Sequence, residues 1–215
     1  MDSEFWHQRW QENRIGFHQQ EVNRWLRSCW LGAQPHEPVL VPLCGKSHDM
    51  LWLHEQGHPV DGVELSALAA EQFFSDNQLA VQVSEIGPYR CYQHHHLALY
   101  QGDFFAAKAL GRRYRLVYDR AALIALPAKM RRQYAQLIAQ LVEVDGTILL
   151  VTLEYQPVQQ SQPPFSVSEP EVRALFAQNF EIELLGRVAE PDHPRVQTGE
   201  LSAFDEVAYR LTRRG

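Results

Sequence analysis

Four short segments bring together residue types that could bind or transform a small molecule. Leu43-Cys44-Gly45-Lys46-Ser47 combines a glycine, which lets the backbone approach a ligand closely, with a thiol and a cation. Glu64 stands nineteen positions beyond Gly45. At that spacing a carboxylate can accept hydrogen bonds from both hydroxyls of a ribose, or can sit as a helix-N-terminal anion before Ser66. Asp103-Phe104 could serve an adenine, the carboxylate toward its amino group and the ring against its face; a turn aspartate beside a core phenylalanine is the alternative. Asp119-Arg120 could face a ligand carboxylate or an acceptor molecule, or form a structural ion pair. The glycine segment carries neither G-x-G-x-x-G nor G-x-x-x-x-G-K-[ST]. A ribose site without a pyrophosphate loop points to an adenosine cofactor lacking phosphates, which favours S-adenosylmethionine over NAD.

Other reactive groups fit less well. His94-His95-His96 are consecutive, so in a strand they point to different faces, and they read as a surface hairpin rather than a metal site. Cys44 has no base identifiable from sequence, which argues against nucleophilic catalysis. A serine-hydrolase elbow, G-x-S-x-G, is absent.

The elements that must position these segments follow from periodicity. Short apolar runs at Val39-Leu43, Val60-Leu65, Leu97-Gln101, Arg115-Tyr118 and Thr147-Leu153 suit strands buried on both faces of a parallel sheet. Between them lie helical patterns. Ser47 caps a helix through Glu55, with Asp49 in its first turn and Gly57 past its end. Ser66 caps a second, in which Ala69 and Phe73, then Ala70 and Phe74, share a face. Pro127 opens a third as a first-turn residue before the stripe Met130, Tyr134, Leu137, Ile138, Leu141. Gln156 to Pro164 reads as an ordered loop, and Ser168 with Glu171 as a capping box. Glu181-Leu185 and Val207-Leu211 complete a sheet of about seven strands with an antiparallel hairpin at the end. The fold class is α/β, with a mostly parallel sheet and flanking helices. In such a sheet ligands bind outside the C-terminal strand ends, where the four segments fall.

Before residue 39 the pattern changes. Trp6 and Trp10 share one face of a short helical stretch, which either packs on the sheet edge or forms a lid over a ligand. The expected organisation is a single domain over 1–215, with an N-terminal helical lid region at 1–38 and a Rossmann-like core at 39–215.

Composition narrows the function classes. With 215 residues, 45% apolar and 21% charged, the chain can bury a substantial core. A net charge of −6 gives no basic field for nucleic acid. No apolar stretch is long enough to span a bilayer, and the acidic Met1-Asp-Ser-Glu opening is unlike a secretory signal. Three scattered cysteines, Cys29, Cys44 and Cys91, argue for a reducing, cytoplasmic setting.

Assembled in order, the segments resemble the thiopurine S-methyltransferases, particularly the bacterial type. The matching residues are Glu4-Phe5-Trp6-His7 through Trp10, Ile15-Gly16-Phe17-His18, Val41 to Ser47, and Gly62-Val63-Glu64-Leu65-Ser66. They continue with Gly102-Asp103-Phe104-Phe105, Tyr118 to Leu123, and Pro163-Pro164-Phe165-Ser166-Val167, so the likeness covers nearly the whole chain. The resemblance implies the Rossmann-like fold of class I methyltransferases, with seven strands. It implies that Trp10, Leu43, Glu64 and Arg120 contact S-adenosylmethionine, with Asp103 and Phe104 beside its adenine. Phe17 would line the substrate pocket. Arg195, fourteen residues before Tyr209, would match a substrate-side arginine. Between Ala189 and Arg195, and in the Thr212-Arg-Arg-Gly tail, the chain departs from the family pattern.

The implied reaction is in-line attack of an acceptor thiolate on the sulfonium methyl group, helped by proximity and exclusion of water. Asp119 is the candidate catalytic residue, orienting the acceptor with Arg120. Thiopurines or similar small aromatic or heterocyclic thiols are the expected acceptors, and the family suggests a monomer. Selenium or tellurium oxyanions, or small anions, are the alternative substrates. A non-catalytic adenosyl-binding module is the alternative of another class.

Overall fold

In a computed structural model of the chain, residues 3–15, 18–30, 36–158 and 162–215 are described. Two short helices, α1 (Ser3–Gln11) and α2 (Arg24–Cys29), precede the sheet. The alternating core follows: β1 (Val39–Pro42), α3 (His48–Glu55), β2 (Val60–Glu64), α4 (Ala67–Asp76), β3 (Gln82–Ile86), β4 (Tyr89–His94) and β5 (Leu97–Gln101). After a 3-10 helix at Phe104–Leu110 come β6 (Tyr114–Asp119), α5 (Ala122–Ala125), α6 (Ala128–Leu141) and β7 (Val142–Gln156). The chain ends with α7 (Glu169–Phe176), β8 (Phe180–Ala189), α8 (Pro194–Gln197) and β9 (Ala203–Arg213).

All the expected strands form, but the sheet holds nine, in the order β3-β4-β5-β2-β1-β6-β7-β9-β8. The additional pair, β3 and β4, is an antiparallel meander on the β5 edge. Every residue of β3 is exposed, so it has no core face to impose an apolar alternation. The pair makes the sheet four parallel and four antiparallel pairings rather than mostly parallel. The five central strands are parallel, as expected, and β7-β9-β8 closes the other edge antiparallel.

Both faces of the sheet are covered. Leu40, Ile148 and Leu150 point to one side, where they meet Tyr134 and Ile138 of α6 and Val172 of α7. Their neighbours Val39, Val41, Leu149 and Val151 point to the other, against Trp25 of α2, Met50 of α3 and Phe73 of α4. Alternate residues of one strand thus serve two cores, which is why these runs are continuously apolar. Each such side chain, fully buried, contributes roughly 1.5–3 kcal/mol.

Local signals set the helix ends. The Ser47 hydroxyl accepts from Asp49 N–H at 3.1 Å, and Gly57 takes a left-handed φ of 89° just past α3. Ser66 accepts from Ala69 N–H at 3.2 Å, and Ala69, Ala70, Phe73 and Phe74 are all buried. Pro127 proves to be the cap of α6 rather than its first helical residue. The expected capping box at α7 does not form. Ser168 makes no side-chain cap, and Glu171 turns instead to Arg131 at 2.6 Å. Arg131 is buried, and an unpaired guanidinium there costs more than one cap hydrogen bond.

Candidate functional site

Between β5 and β6 the chain crosses from one side of β1 to the other, which makes the C-terminal ends of β1, β2 and β6 the switch point. A cleft opens there. Its floor is the turn after β1, Pro42 to Ser47, with Glu64 and Leu65 from β2 and Tyr118, Arg120 and Ala121 from the end of β6. Trp6, Arg9 and Trp10 of α1 and His18 close one side, and Pro163 and Pro164 contribute to the wall.

The β1 turn is shaped by its backbone. Leu43 holds a positive φ of 47° and Gly45 one of 54°. A left-handed leucine is costly, and such outliers persist where the surrounding structure fixes them. A Cβ on Gly45 would stand 3.2 Å from Cζ2 of the Trp10 indole, so the absent side chain lets α1 close on the turn. Trp10 is only 4% exposed even though it lines the cleft. Packing helix and ligand wall are therefore the same residue.

Glu64 ties two elements to this turn. One carboxylate oxygen accepts from Gly45 N–H at 2.9 Å, the other from Ser66 N–H at 2.8 Å. Burial raises its pKa, opposed by the N–H groups of Ser66, Gly45 and Leu65. Each carboxylate oxygen retains acceptor capacity for one more donor, which is what a vicinal diol requires. Beneath it, burial and the neighbouring Glu64 charge push the Cys44 thiol far above its usual range, which disfavours the thiolate.

A second carboxylate also lines the cleft. Asp49, buried in the first turn of α3, accepts from Asn23 N–H and from the Tyr118 hydroxyl, each at 2.8 Å. Asn23 in turn donates its side-chain amide to Glu206 of β9 at 3.0 Å. Sequence spacing marks Asp49 only as a helix-start residue. Its partners lie 26 and 69 positions away, and no local pattern announces them. Lys46 and Arg120 supply positive charge around the same space, with Lys46 held at 2.9 Å from Asp76.

Of the sequence candidates, Trp10, Leu43, Glu64 and Arg120 converge on the cleft. Asp103, Phe104, Asp119 and Arg195 are not among the residues that line it. Asp103 caps the 3-10 helix through Phe105 N–H at 3.0 Å, and Phe104 is core, its ring 5.4 Å from that of Tyr134. Asp119 is turned inward. Its Oδ1 accepts from Ala122 N–H at 3.0 Å, its Oδ2 from the Tyr134 hydroxyl at 2.6 Å, and burial raises its pKa to about 6. Arg195 pairs with Glu200 at 2.6 Å and lies over the Tyr155 ring. The Tyr155 hydroxyl donates to Pro164 O, so Arg195 stands behind the cleft wall rather than on it. Phe17 lies outside the described residues. No cluster suited to a metal ion occurs among the described residues.

The chain is similar to known proteins in sequence and in fold. The family model described as thiopurine S-methyltransferase matches residues 1–214. A thiopurine S-methyltransferase of Shewanella sp. (strain ANA-3) is 45% identical, with all of each chain covered. One of Marinobacter nauticus (strain ATCC 700491 / DSM 11845 / VT8) is 42% identical over 90% of each. Among solved structures, the Burkholderia thailandensis 1,6-didemethyltoxoflavin-N1-methyltransferase with bound S-adenosylhomocysteine superposes with a TM-score of 0.68. It is 16% identical, and the match covers 99% of this chain and 87% of that one, which is a likeness of fold.

Proposed function

The chain belongs to the thiopurine S-methyltransferase family and is an S-adenosylmethionine-dependent S-methyltransferase; on that premise we propose that its acceptors are small aromatic or heterocyclic thiols bound in the switch-point cleft. The observation that carries the reading is the Glu64 carboxylate stretched between Gly45 and Ser66, with the Trp10 indole closed over the same glycine. Both features suit an adenosyl group: a diol acceptor and a tight turn without a phosphate loop.

Glu64 would hold the ribose hydroxyls, and Leu43 and Trp10 would enclose the cofactor from the turn and from α1. Arg120 would pair with its carboxylate or with an anionic acceptor. When bound, S-adenosylmethionine supplies a methyl group activated by its sulfonium charge. The chain's own contribution is alignment and exclusion of water. Trp6, Trp10, Pro163 and Pro164 present apolar surface to an acceptor ring, while Arg120 and Lys46 favour the anionic form of its sulfur. Asp119 would act as a positioning residue: its carboxylate fixes the N–H groups of Ala122 and Leu123 and so the turn that carries Arg120. Arg195 would brace Pro164 through Tyr155.

The family likeness supports a monomer. Three free thiols support a reducing, cytoplasmic location. Among the described residues no helix is long and apolar enough to cross a membrane. Radiolabelled methyl transfer over a panel of thiopurines, aryl thiols and selenium or tellurium oxyanions tests the acceptor. Turnover of the thiols above the oxyanions is expected, and the reverse order would replace them as the substrate class.

A further inference from the structure

Few groups in the cleft can take a proton from an acceptor. On the reading above the remaining acceptor capacity of Glu64, beyond Gly45 and Ser66, goes to the ribose hydroxyls, and the oxygens of Asp49 accept from Asn23 and Tyr118. Arg9, Lys46 and Arg120 are donors only when charged. The Cys44 thiol is buried beneath the turn. What remains among the described lining residues is His18.

His18 follows α1, with its backbone N–H bonded to Ile15 O at 2.7 Å. The half-buried ring lies 5.4 Å from that of His48, and neither ring nitrogen hydrogen-bonds another described residue. Two other imidazoles are committed. His58 accepts from Trp30 Nε1 and contacts Glu37 O, and His193 accepts from Arg195 N–H. We propose that His18 is the proton acceptor for thiols that enter the cleft un-ionised. The proposal rests on the thiol reading above. In the step, the S–H proton passes to a ring nitrogen and the sulfur lone pair forms the bond to the methyl carbon. The methyl–sulfonium bond breaks, its electron pair stays on the departing sulfur, and the imidazolium later returns its proton to water.

The surroundings keep this imidazole available. Burial, together with Lys46 of the β1 turn, His48 of α3 and Arg120 after β6, lowers its pKa against the opposing pull of Asp76 of α4. A ring neutral at physiological pH has one free lone pair, which is what the role requires.

The test compares wild type with His18→Gln and His18→Asn over thiols of graded acidity. For acceptors already ionised at the assay pH, turnover in both variants should stay within roughly threefold. For thiols whose pKa lies about two units above the assay pH, kcat should fall about a hundredfold, the usual weight of a general base. Calorimetry of cofactor binding should be unchanged, and NMR of labelled histidine in the free protein should show His18 titrating below the ordinary value of about 6.5. Equal losses across the series, no loss for weakly acidic thiols, or a ring protonated throughout the neutral range would each overturn the assignment. Wild-type protein inactive on every thiol would instead overturn the acceptor reading beneath it.

Discussion

At the residue scale, the site depends on carboxylates that the fold has already put to use. Glu64 joins the β1 turn to the start of α4 before any ligand arrives, so its removal should loosen the turn and delete the diol acceptor together. Glu64→Ala should therefore raise the dissociation constant for S-adenosylmethionine at least about tenfold, which is ~1.4 kcal/mol. Unchanged affinity by calorimetry would show that the carboxylate is purely structural. Asp119 carries a different consequence. Its pKa in the folded state, about 6, lies above the ordinary aspartate value of 3.8. The folded form then binds the proton more tightly than the unfolded one. Burial of the ionised group costs stability above about pH 6, and that cost is relieved as pH falls toward 4, by at most about 3 kcal/mol. Asp119→Asn has no such titration. Urea unfolding at pH 7 and pH 4.5 should show the difference in stability moving in favour of wild type at the lower pH, and a constant difference refutes the buried-carboxylate account.

At the element scale, α1 is held to the core by a contact that needs a missing side chain. Gly45 combines a left-handed φ of 54° with a Cβ position 3.2 Å from the Trp10 ring. Trp10→Ala should weaken cofactor binding severalfold while moving the melting temperature by only a few degrees, because one short helix rests on it. A large loss of stability with affinity intact in the folded fraction would make Trp10 a core residue only. Elements of this kind were largely legible in sequence. The strand runs β1, β2, β5 and β6 are apolar on both faces, Ser47 and Ser66 sit where caps belong, and Gly45, Glu64 and Arg120 stand at strand ends. What escaped had no local signature. The meander β3-β4 has one wholly exposed strand, and Asp49 becomes a cleft residue only through Asn23 and Tyr118. Asp103, Phe104 and Asp119 lie at the right strand ends, yet capping and burial of their side chains turn them away from the cleft.

At the scale of the whole molecule, the N-terminal segment divides where the sequence suggested a single lid. In α2, Leu26 is fully buried and Trp25 packs on Gly186 of β8, where an added Cβ would meet its ring at 2.8 Å. Asn23 bonds both Asp49 and Glu206, and Arg24 pairs with Glu190 and Glu206. These contacts clamp α2 across the first helix of the core and the last strand of the sheet. We therefore assign α2 to the core and restrict the lid to α1. Two truncations separate these roles. Removal of residues 1–15 takes away Trp6, Arg9 and Trp10 but none of the α2 clamp. The remaining chain should unfold in one transition, within roughly 5 °C of the full-length protein, with cofactor affinity sharply reduced. Removal of residues 1–30 strips the buried Trp25 and Leu26 and leaves the carboxylates of Asp49 and Glu206 without Asn23. Cavity formation and unpaired buried acceptors each cost several kcal/mol on the scale of about 5–15 kcal/mol for a whole domain. That chain should fail to fold cooperatively. If it retained a sharp transition, residues 1–38 would form one dispensable lid after all.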